Sequence, residues 1–309
     1  MAQAGATDLG NIWLLGDSIT YGAAVPANVP GGYRDPLYTN LVAKGYTFKF
    51  VGTVNGNSST RLTNAGQQWH DGWSGYTIAD CTIASVPPRN YSGLYEKVNG
   101  WYNSISNKPD MILLMIGIND LNQKYNVASA PSRLDNLVTR LFTLKPNVRL
   151  LISSVLDADQ NNAYRHVPPN TDLAGPVHDY NAAIVSIVAS HRALGQNIVF
   201  VDMHAGLTLA DLSDGLHPLA AGYVKMGNIW ADAIIANPPS FTTNAVKVSG
   251  GMVSLSATGG VGASYSLWKS TNLVSGTWTL LTNGNIVTNP FTVTDAAANV
   301  SQFYRFSTP

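Results

Sequence analysis

Residues 11–20 read Asn-Ile-Trp-Leu-Leu-Gly-Asp-Ser-Ile-Thr, and residues 111–120 read Met-Ile-Leu-Leu-Met-Ile-Gly-Ile-Asn-Asp. Each is a continuous apolar run that stops at a glycine and gives way to polar residues. A run without polar alternation suits a strand covered on both faces, as in a parallel sheet. The glycine marks where the chain turns out of that sheet. Residues 48–52, 148–155 and 198–202 are three further short segments rich in apolar and β-branched side chains. Helical patterns separate the strands. Leu134, Leu137, Val138, Leu141 and Phe142 recur at three- and four-residue spacing, with Ser132 as the expected cap and Pro146 as the stop. Residues 182–193 repeat the pattern through Ile184, Ile187 and Val188. A last helix is expected to start at Pro218, with Tyr223, Met226, Trp230 and Ile234 as its apolar stripe. This alternation predicts an α/β/α sandwich around a five-stranded parallel sheet with right-handed crossovers.

The character of the chain changes at Asn237-Pro238-Pro239-Ser240. Beyond it, residues 246–248, 252–256, 265–268, 277–281, 291–293 and 303–306 read as short strands separated by Gly, Asn and Ser. The prediction is an α/β domain over residues 1–237 and a small all-β sandwich over residues 238–309. In the second unit Trp268 and Trp278 are read as core packing ahead of a binding platform.

Composition narrows the function classes. Lysine plus arginine and aspartate plus glutamate balance at 18 each, so bulk charge selects neither nucleic acid nor an anionic membrane as partner. No apolar run approaches the length of a membrane span. Cys81 is the one cysteine, which excludes an intrachain disulfide and a cysteine metal cluster, and it is expected to be buried. Residues 157–162 resemble a calcium loop but lack its sixth-position glycine, and Pro168 stands where a bidentate glutamate belongs. No metal is therefore expected. Only 12% of the residues are charged, and Gly, Asn, Ser and Thr supply much of the polar surface. That is a common look for extracellular proteins. The N-terminus, with no basic region and no apolar stretch, fits either a cytoplasmic start or a secreted protein whose export signal is not part of this sequence. The β-rich C-terminal region favours the second.

Three motifs carry chemistry. Gly16-Asp17-Ser18-Ile19-Thr20 follows the first strand, so Ser18 sits at the carboxyl edge where open α/β folds place ligands. A serine hydroxyl becomes a nucleophile when a base takes its proton; the alternative is a turn that merely ends the strand. Asp214-Gly215-Leu216-His217-Pro218 precedes the last helix. A histidine at residue 217 can serve as that base if Asp214 holds its other ring nitrogen, unless Asp214 is only a helix-start signal. Gly117-Ile118-Asn119-Asp120 ends the most apolar strand, and the Asn119 amide can donate to an oxyanion if it is more than a turn residue. A fourth segment, His70-Asp71-Gly72-Trp73-Ser74-Gly75, shows no secondary-structure signal; Gly75 there can offer its backbone N–H to the same oxyanion. Trp73 is a candidate substrate contact. Asp17 is expected to bond loop backbone, Tyr33 and Arg34 to pack and to form an ion pair, and His70, His166, His178, His191 and His204 to be structural or surface residues.

In order and content these segments resemble the sequence blocks of the SGNH, or GDSL-type, hydrolase superfamily over residues 11–236. Ser18, Gly75, Asn119 and His217 fall on its four name-giving positions and Asp214 on its triad acid. Residues 16–22 (GDSITYG), 31–34 (GGYR), 50–53 (FVGT), 70–75 and 109–120 look like carbohydrate esterase family three, the acetylxylan esterase group. The resemblance implies a flavodoxin-like sheet and an oxyanion hole made by the Ser18 N–H, the Gly75 N–H and the Asn119 side chain. It also implies a serine esterase that needs no cofactor and acts on acetylated polysaccharide or oligosaccharide, xylan above all. A lipid, thioester or aryl esterase of the same superfamily is the nearest alternative, and a non-catalytic carbohydrate-binding protein the next. The tail resembles the small β modules that end many secreted bacterial enzymes.

Overall fold

A computed structural model describes residues 7–83, 85, 88–166, 171–237, 242–258, 264–272, 277–286, 288, 290–298 and 301–307. Strand β1 (Thr7–Gly16) runs into the one-turn helix α1 (Ser18–Tyr21), followed by α2 (Arg34–Ala43), β2 (Tyr46–Val51), α3 (Thr60–Asn64) and the two-residue β3 (Asp71–Gly72). The short strands β4 (Cys81–Ile83) and β5 (Arg89–Tyr91) pair antiparallel apart from the main sheet. Then come α4 (Leu94–Ser104), β6 (Met111–Met115), α5 (Ile118–Asn122), α6 (Ala130–Leu144), β7 (Arg149–Ser153), α7 (Ala174–Ala193), β8 (Ile198–Val201) and α8 (Ala220–Ala236).

The main sheet has the order β2-β1-β6-β7-β8 and is parallel throughout. Among these five strands the second in sequence lies outside the first, and the later ones follow on the other side. That is the flavodoxin-like order, with the topological switch between β1 and β6. The switch fixes where a ligand cleft opens: at the carboxyl ends of these two strands. Every residue of β6 and β7 is buried, as are Ile12, Trp13, Leu14 and Leu15 of β1. Burying each such side chain stabilises the fold by roughly 1.5–3 kcal/mol. Helix α2 packs on α8, and α6 lies between α4 and α7, so a helical layer covers each face.

The five expected strands are present, and a sixth was not foreseen. β3 is too short to carry a period; it exists because Leu15 and Gly16 pair with Asp71 and Gly72. The helix starts also differ. α6 begins at Ala130, so Ser132 lies inside the first turn and caps nothing. α7 begins at Ala174, well before residue 182, because the Asp172 carboxylate accepts from the N–H groups of Ala174 and Gly175 at 3.1 and 3.2 Å. Val177 and Tyr180 extend its buried stripe through polar turns that hid the period. α8 begins at Ala220, and Pro218 instead bridges to Leu212. Cys81 is buried as expected. No helix among the described residues is long and apolar enough to cross a membrane.

The C-terminal strands β9 (Thr242–Ser249), β10 (Met252–Thr258), β11 (Ser264–Ser270), β12 (Thr279–Asn285), β13 (Phe291–Ala296) and β14 (Phe303–Ser307) form an all-β module of two antiparallel sheets, β13-β10-β9 and β12-β11-β14. Val253, Leu255 and Leu267 are buried in one inner cluster, and Ala257, Ile286 and Phe291 in another. Lys269 of β11 reaches Asp295 of β13 at 3.1 Å and ties the sheets together. Trp268 and Trp278 belong to neither cluster, against the expectation of core packing. The expected unit boundary at residue 238 lies outside the described residues.

Candidate active site

β1 ends at Gly16, where a Cβ would lie 2.4 Å from the Met115 carbonyl oxygen and from Thr20 Oγ1. Only glycine lets β1 and β6 meet this closely at the switch point. Asp17 then caps α1, its Oδ1 accepting from the Ile19 N–H at 2.9 Å, and Ser18 takes the first helical position. The hydroxyl of Ser18 is thereby held at the mouth of the cleft.

His217 arrives from the other end of the chain. Ser18 Oγ lies 2.9 Å from His217 Nε2, and His217 Nδ1 lies 2.8 Å from Asp214 Oδ2. A carboxylate only accepts, so Nδ1 carries the proton and Nε2 is left to accept from the serine hydroxyl. Asp214 Oδ1 also accepts from the N–H groups of Leu216 and His217, at 2.9 and 2.7 Å. Burial works to raise the Asp214 carboxyl, but these bonds and the His217 ring outweigh it and hold the group below its ordinary range. The tight turn that permits this reach uses Gly215 at φ +79°, with a Cβ there only 2.7 Å from that of Asp159.

Gly75 and Asn119 line the same cavity of about 290 Å³ as Ser18 and His217. Gly75 has φ +79° and open space where a Cβ would point, so the backbone conformation, not crowding, calls for glycine. Asn119 is buried and donates from Nδ2 to the Tyr76 carbonyl at 2.8 Å. Gly117, at φ +118°, starts α5; a Cβ there would lie 2.4 Å from the Tyr180 hydroxyl. An arrangement of hydroxyl, imidazole and carboxylate in hydrogen-bonded series, facing amide donors, can move a proton off Ser18 and take up negative charge on a bound carbonyl.

Trp73 does not line this cavity. Its ring stacks on Trp101 of α4, centres 5.4 Å apart and 5° from parallel, and Tyr76 packs on both rings. The buried Asp71 carboxylate accepts from Trp73 Nε1 at 3.2 Å, Trp13 Nε1 at 2.7 Å and the Thr53 N–H at 3.0 Å, and also bonds the Thr53 hydroxyl. Trp73 therefore props the turn that carries Gly75. His70 is structural: its Nδ1 accepts from the Gly72 N–H and its Nε2 donates to the Gly56 carbonyl. Burial, with Arg34 nearby, pushes its imidazole down to about 3. Arg34 makes no ion pair among the described residues; buried completely, it donates to the carbonyls of Tyr21, Gly56, Asn57 and Gln68.

Several lining residues carried no sequence signal. Tyr91, Gln123, Tyr164 and His166 wall the cavity. The Gln123 amide donates to the Tyr164 carbonyl at 2.6 Å and accepts from the His166 N–H at 3.2 Å, while the Tyr164 ring stands edge-on to His217, centres 5.0 Å apart. Asn122 and Asn162 exchange side-chain hydrogen bonds at 2.9 and 3.4 Å. The Asp159 N–H donates to the Gly215 carbonyl at 2.7 Å, so the 157–162 loop serves as a strut under the His217 turn.

Residues 14–225 match the GDSL-like lipase/acylhydrolase family. The chain is 33% identical over 227 residues to a multidomain esterase of Ruminococcus flavefaciens, covering 71% of this chain and 28% of that protein. It spans 28% and 52% of the length of the curated relatives it matches. A family 3 carbohydrate esterase of Clostridium thermocellum superposes with a TM-score of 0.56 at 29% identity, over 73% of this chain and 95% of that one. A family 3 carbohydrate esterase of Talaromyces cellulolyticus shares the fold at 21% identity and a TM-score of 0.55, over 74% and 97%. With the family match running from β1 into α8, the chain belongs to the GDSL-like lipase/acylhydrolase family.

Proposed function

We propose that the chain is a secreted serine esterase that removes short acyl groups, acetyl above all, from polysaccharide such as xylan. The observation that carries this reading is the unbroken series Ser18–His217–Asp214, at 2.9 and 2.8 Å, opening onto Asn119 and Gly75. Ser18 Oγ attacks the ester carbonyl while its proton passes to His217 Nε2, and Asp214 balances the imidazolium. The Ser18 and Gly75 N–H groups and the Asn119 amide receive the oxyanion. His217 then protonates the departing sugar hydroxyl, leaving an acyl-serine. Water gives a proton to the same nitrogen as its oxygen attacks that ester. His217 then passes that proton to Ser18 Oγ as the Oγ–acyl bond breaks, releasing the acid and restoring the serine hydroxyl. No cofactor enters the scheme.

The acyl and alcohol preferences draw on the cavity. At about 290 Å³ it lies at the small end of ligand pockets. Its walls include Asn28, Ser74, Gln123 and His166, polar groups that suit a hydroxyl-bearing alcohol better than a lipid chain. The name of the family 3 carbohydrate esterase agrees with that choice. Residues 1–237 are read as the catalytic unit and residues 238–309 as an accessory unit.

The test is acetate release from acetylated xylan by the parent chain, by Ser18→Ala and by a chain ending after Asn237. The parent and the shortened chain are expected to release acetate, and Ser18→Ala to lose at least about 10³-fold in kcat. Full hydrolysis by Ser18→Ala would remove the mechanism. Rates on chromogenic esters that climb with acyl length beyond butyrate would replace the acetylesterase reading with a lipid-type one.

A further inference from the structure

The sheet β12-β11-β14 has one face toward its partner sheet and one turned away. On the inner face Leu267 is fully buried, with Tyr265, Tyr304 and Phe306 packed around it. Side chains alternate along a strand, so Ser266, Trp268, Arg305 and Ser307 project from the outer face. Strand register sets them in two rows. Leu280 stands opposite Trp268, which stands opposite Arg305; one step along, Asn283, Ser266 and Ser307 line up in the same way. Trp268 and Trp278 are half-buried, Leu280 is 43% exposed, and Arg305 is exposed. The Arg305 guanidinium lies 4.6 Å from the centre of the Trp278 ring and 5.8 Å from that of Trp268. It has no carboxylate partner among the described residues.

These features favour one kind of occupant. Two indoles and a leucine on a solvent face expose apolar surface that a soluble module gains nothing by displaying. Flat pyranose rings match such a surface, and the adjoining amide and hydroxyl row matches their hydroxyl groups. A guanidinium stacked on aromatic faces keeps its in-plane N–H groups free. Those groups fit the two oxygens of a carboxylate, and none of the described residues supplies one. We infer that this outer face binds a polysaccharide chain bearing uronate carboxylates, with sugar rings on Trp268 and Trp278 and a carboxylate on Arg305. The choice of a polysaccharide rests on the substrate proposed above, but the contact itself needs no ester bond.

Affinity electrophoresis of the whole chain tests it, through gels containing deacetylated glucuronate-substituted xylan or the same polymer after carboxyl reduction. Retardation by the native polymer is expected, with affinity about tenfold weaker for the reduced polymer, for Trp268→Ala and for Arg305→Gln. Arg305→Gln alters an exposed side chain, so its result stands even if Trp268→Ala disturbs the module. No retardation of the parent, or equal retardation of the parent and both variants, overturns the proposal; equal retardation by native and reduced polymer overturns the carboxylate contact. Hydrolysis of a chromogenic acetate by these variants is expected to be unchanged. A parent chain inactive on that ester would sink the catalytic reading while leaving the binding result to be judged alone.

Discussion

Asn119 Nδ2 donates to the main-chain carbonyl of Tyr76 at 2.8 Å, one residue beyond Gly75. The bond ties the helix after β6 to the turn after β3, the two segments that carry the proposed oxyanion donors Asn119 and Gly75. One amide N–H holds the turn and leaves the other for the cavity. Asn119→Ala thus removes a donor and loosens Gly75 at once. kcat is expected to fall about 10²- to 10³-fold with a smaller change in KM. Steady-state kinetics on a chromogenic acetate measure this, and a loss below tenfold would take Asn119 out of the oxyanion site.

Asp17 sits beside Ser18 with its Oδ1 bonded to the Ile19 N–H and its Oδ2 buried without a partner among the described residues. Burial, reinforced by Asp120, pushes its carboxyl up from 3.8 to about 7. Between those values the native protein keeps a proton that the unfolded chain has lost, so stability falls as pH rises through that window. Asp120 is pushed up to about 6, chiefly by burial and despite Arg133 at 2.9 Å, and acts in the same direction. Asp214, held low, acts in the opposite sense and loses its contribution as pH falls. A comparison with Asp17→Asn isolates one group, since the amide still accepts from Ile19 and cannot ionise. Urea denaturation from about pH 5 to about pH 8 is expected to show the variant gaining on the parent as pH rises. A constant gap would mean Asp17 does not titrate in that range.

The parallel sheet explains why so much of the site was readable. Ser18 and Asn119 each follow a continuous apolar run, and parallel strands bring such ends to one edge, where the turn before α8 also delivers His217. Arg34 was less readable because an arginine at a helix start suggests an ion pair, whereas in the fold its guanidinium is buried among backbone carbonyls and Asp35 pairs with Arg61 at 2.8 Å. Gln123, Tyr164 and His166 are joined by side-chain-to-backbone bonds, which leave no spacing in the sequence. Trp73 and Trp268 show the limit of residue type alone. The first stacks within the protein, and the second faces outward through strand alternation that only the register of β11 decides.

Arg34 offers a measure of how tightly the loops around α1 are held. Its guanidinium, pushed down to about 10 by burial, donates to the Asn57 carbonyl at 2.9 Å and the Tyr21 carbonyl at 3.2 Å, and to those of Gly56 and Gln68 at 3.4 Å. Each of these oxygens has a second donor: Gly31 N–H, Asn57 Nδ2, His70 Nε2 and Ser58 Oγ respectively. Arg34→Met therefore leaves no carbonyl wholly unpaired and also removes a buried charge. The expected loss is moderate, about 2 kcal/mol, read as a lowered denaturation midpoint with an unchanged slope. A loss above about 5 kcal/mol would show that the guanidinium carries more than these four contacts.

Gln123 links the Asn119 side of the cleft to the His217 side. It lies one turn after Asn119, and its amide grips the Tyr164 carbonyl and the His166 N–H, holding Tyr164 edge-on to His217. Gln123→Ala frees that wall without touching the serine, the base or the oxyanion donors. On a small chromogenic acetate KM and kcat are expected to stay within about threefold, while KM for acetylated xylan rises about fivefold or more, because only a large alcohol rests on the displaced wall. Gln123→Glu separates the two halves of the grip. A carboxylate still accepts from His166 but sets like charge density against the Tyr164 carbonyl, so it should impair the polymer at least as much as alanine does. Equal losses on small and polymeric substrates would mean that Gln123 supports the Ser18–His217 contact itself, and the alcohol wall would have to be sought elsewhere.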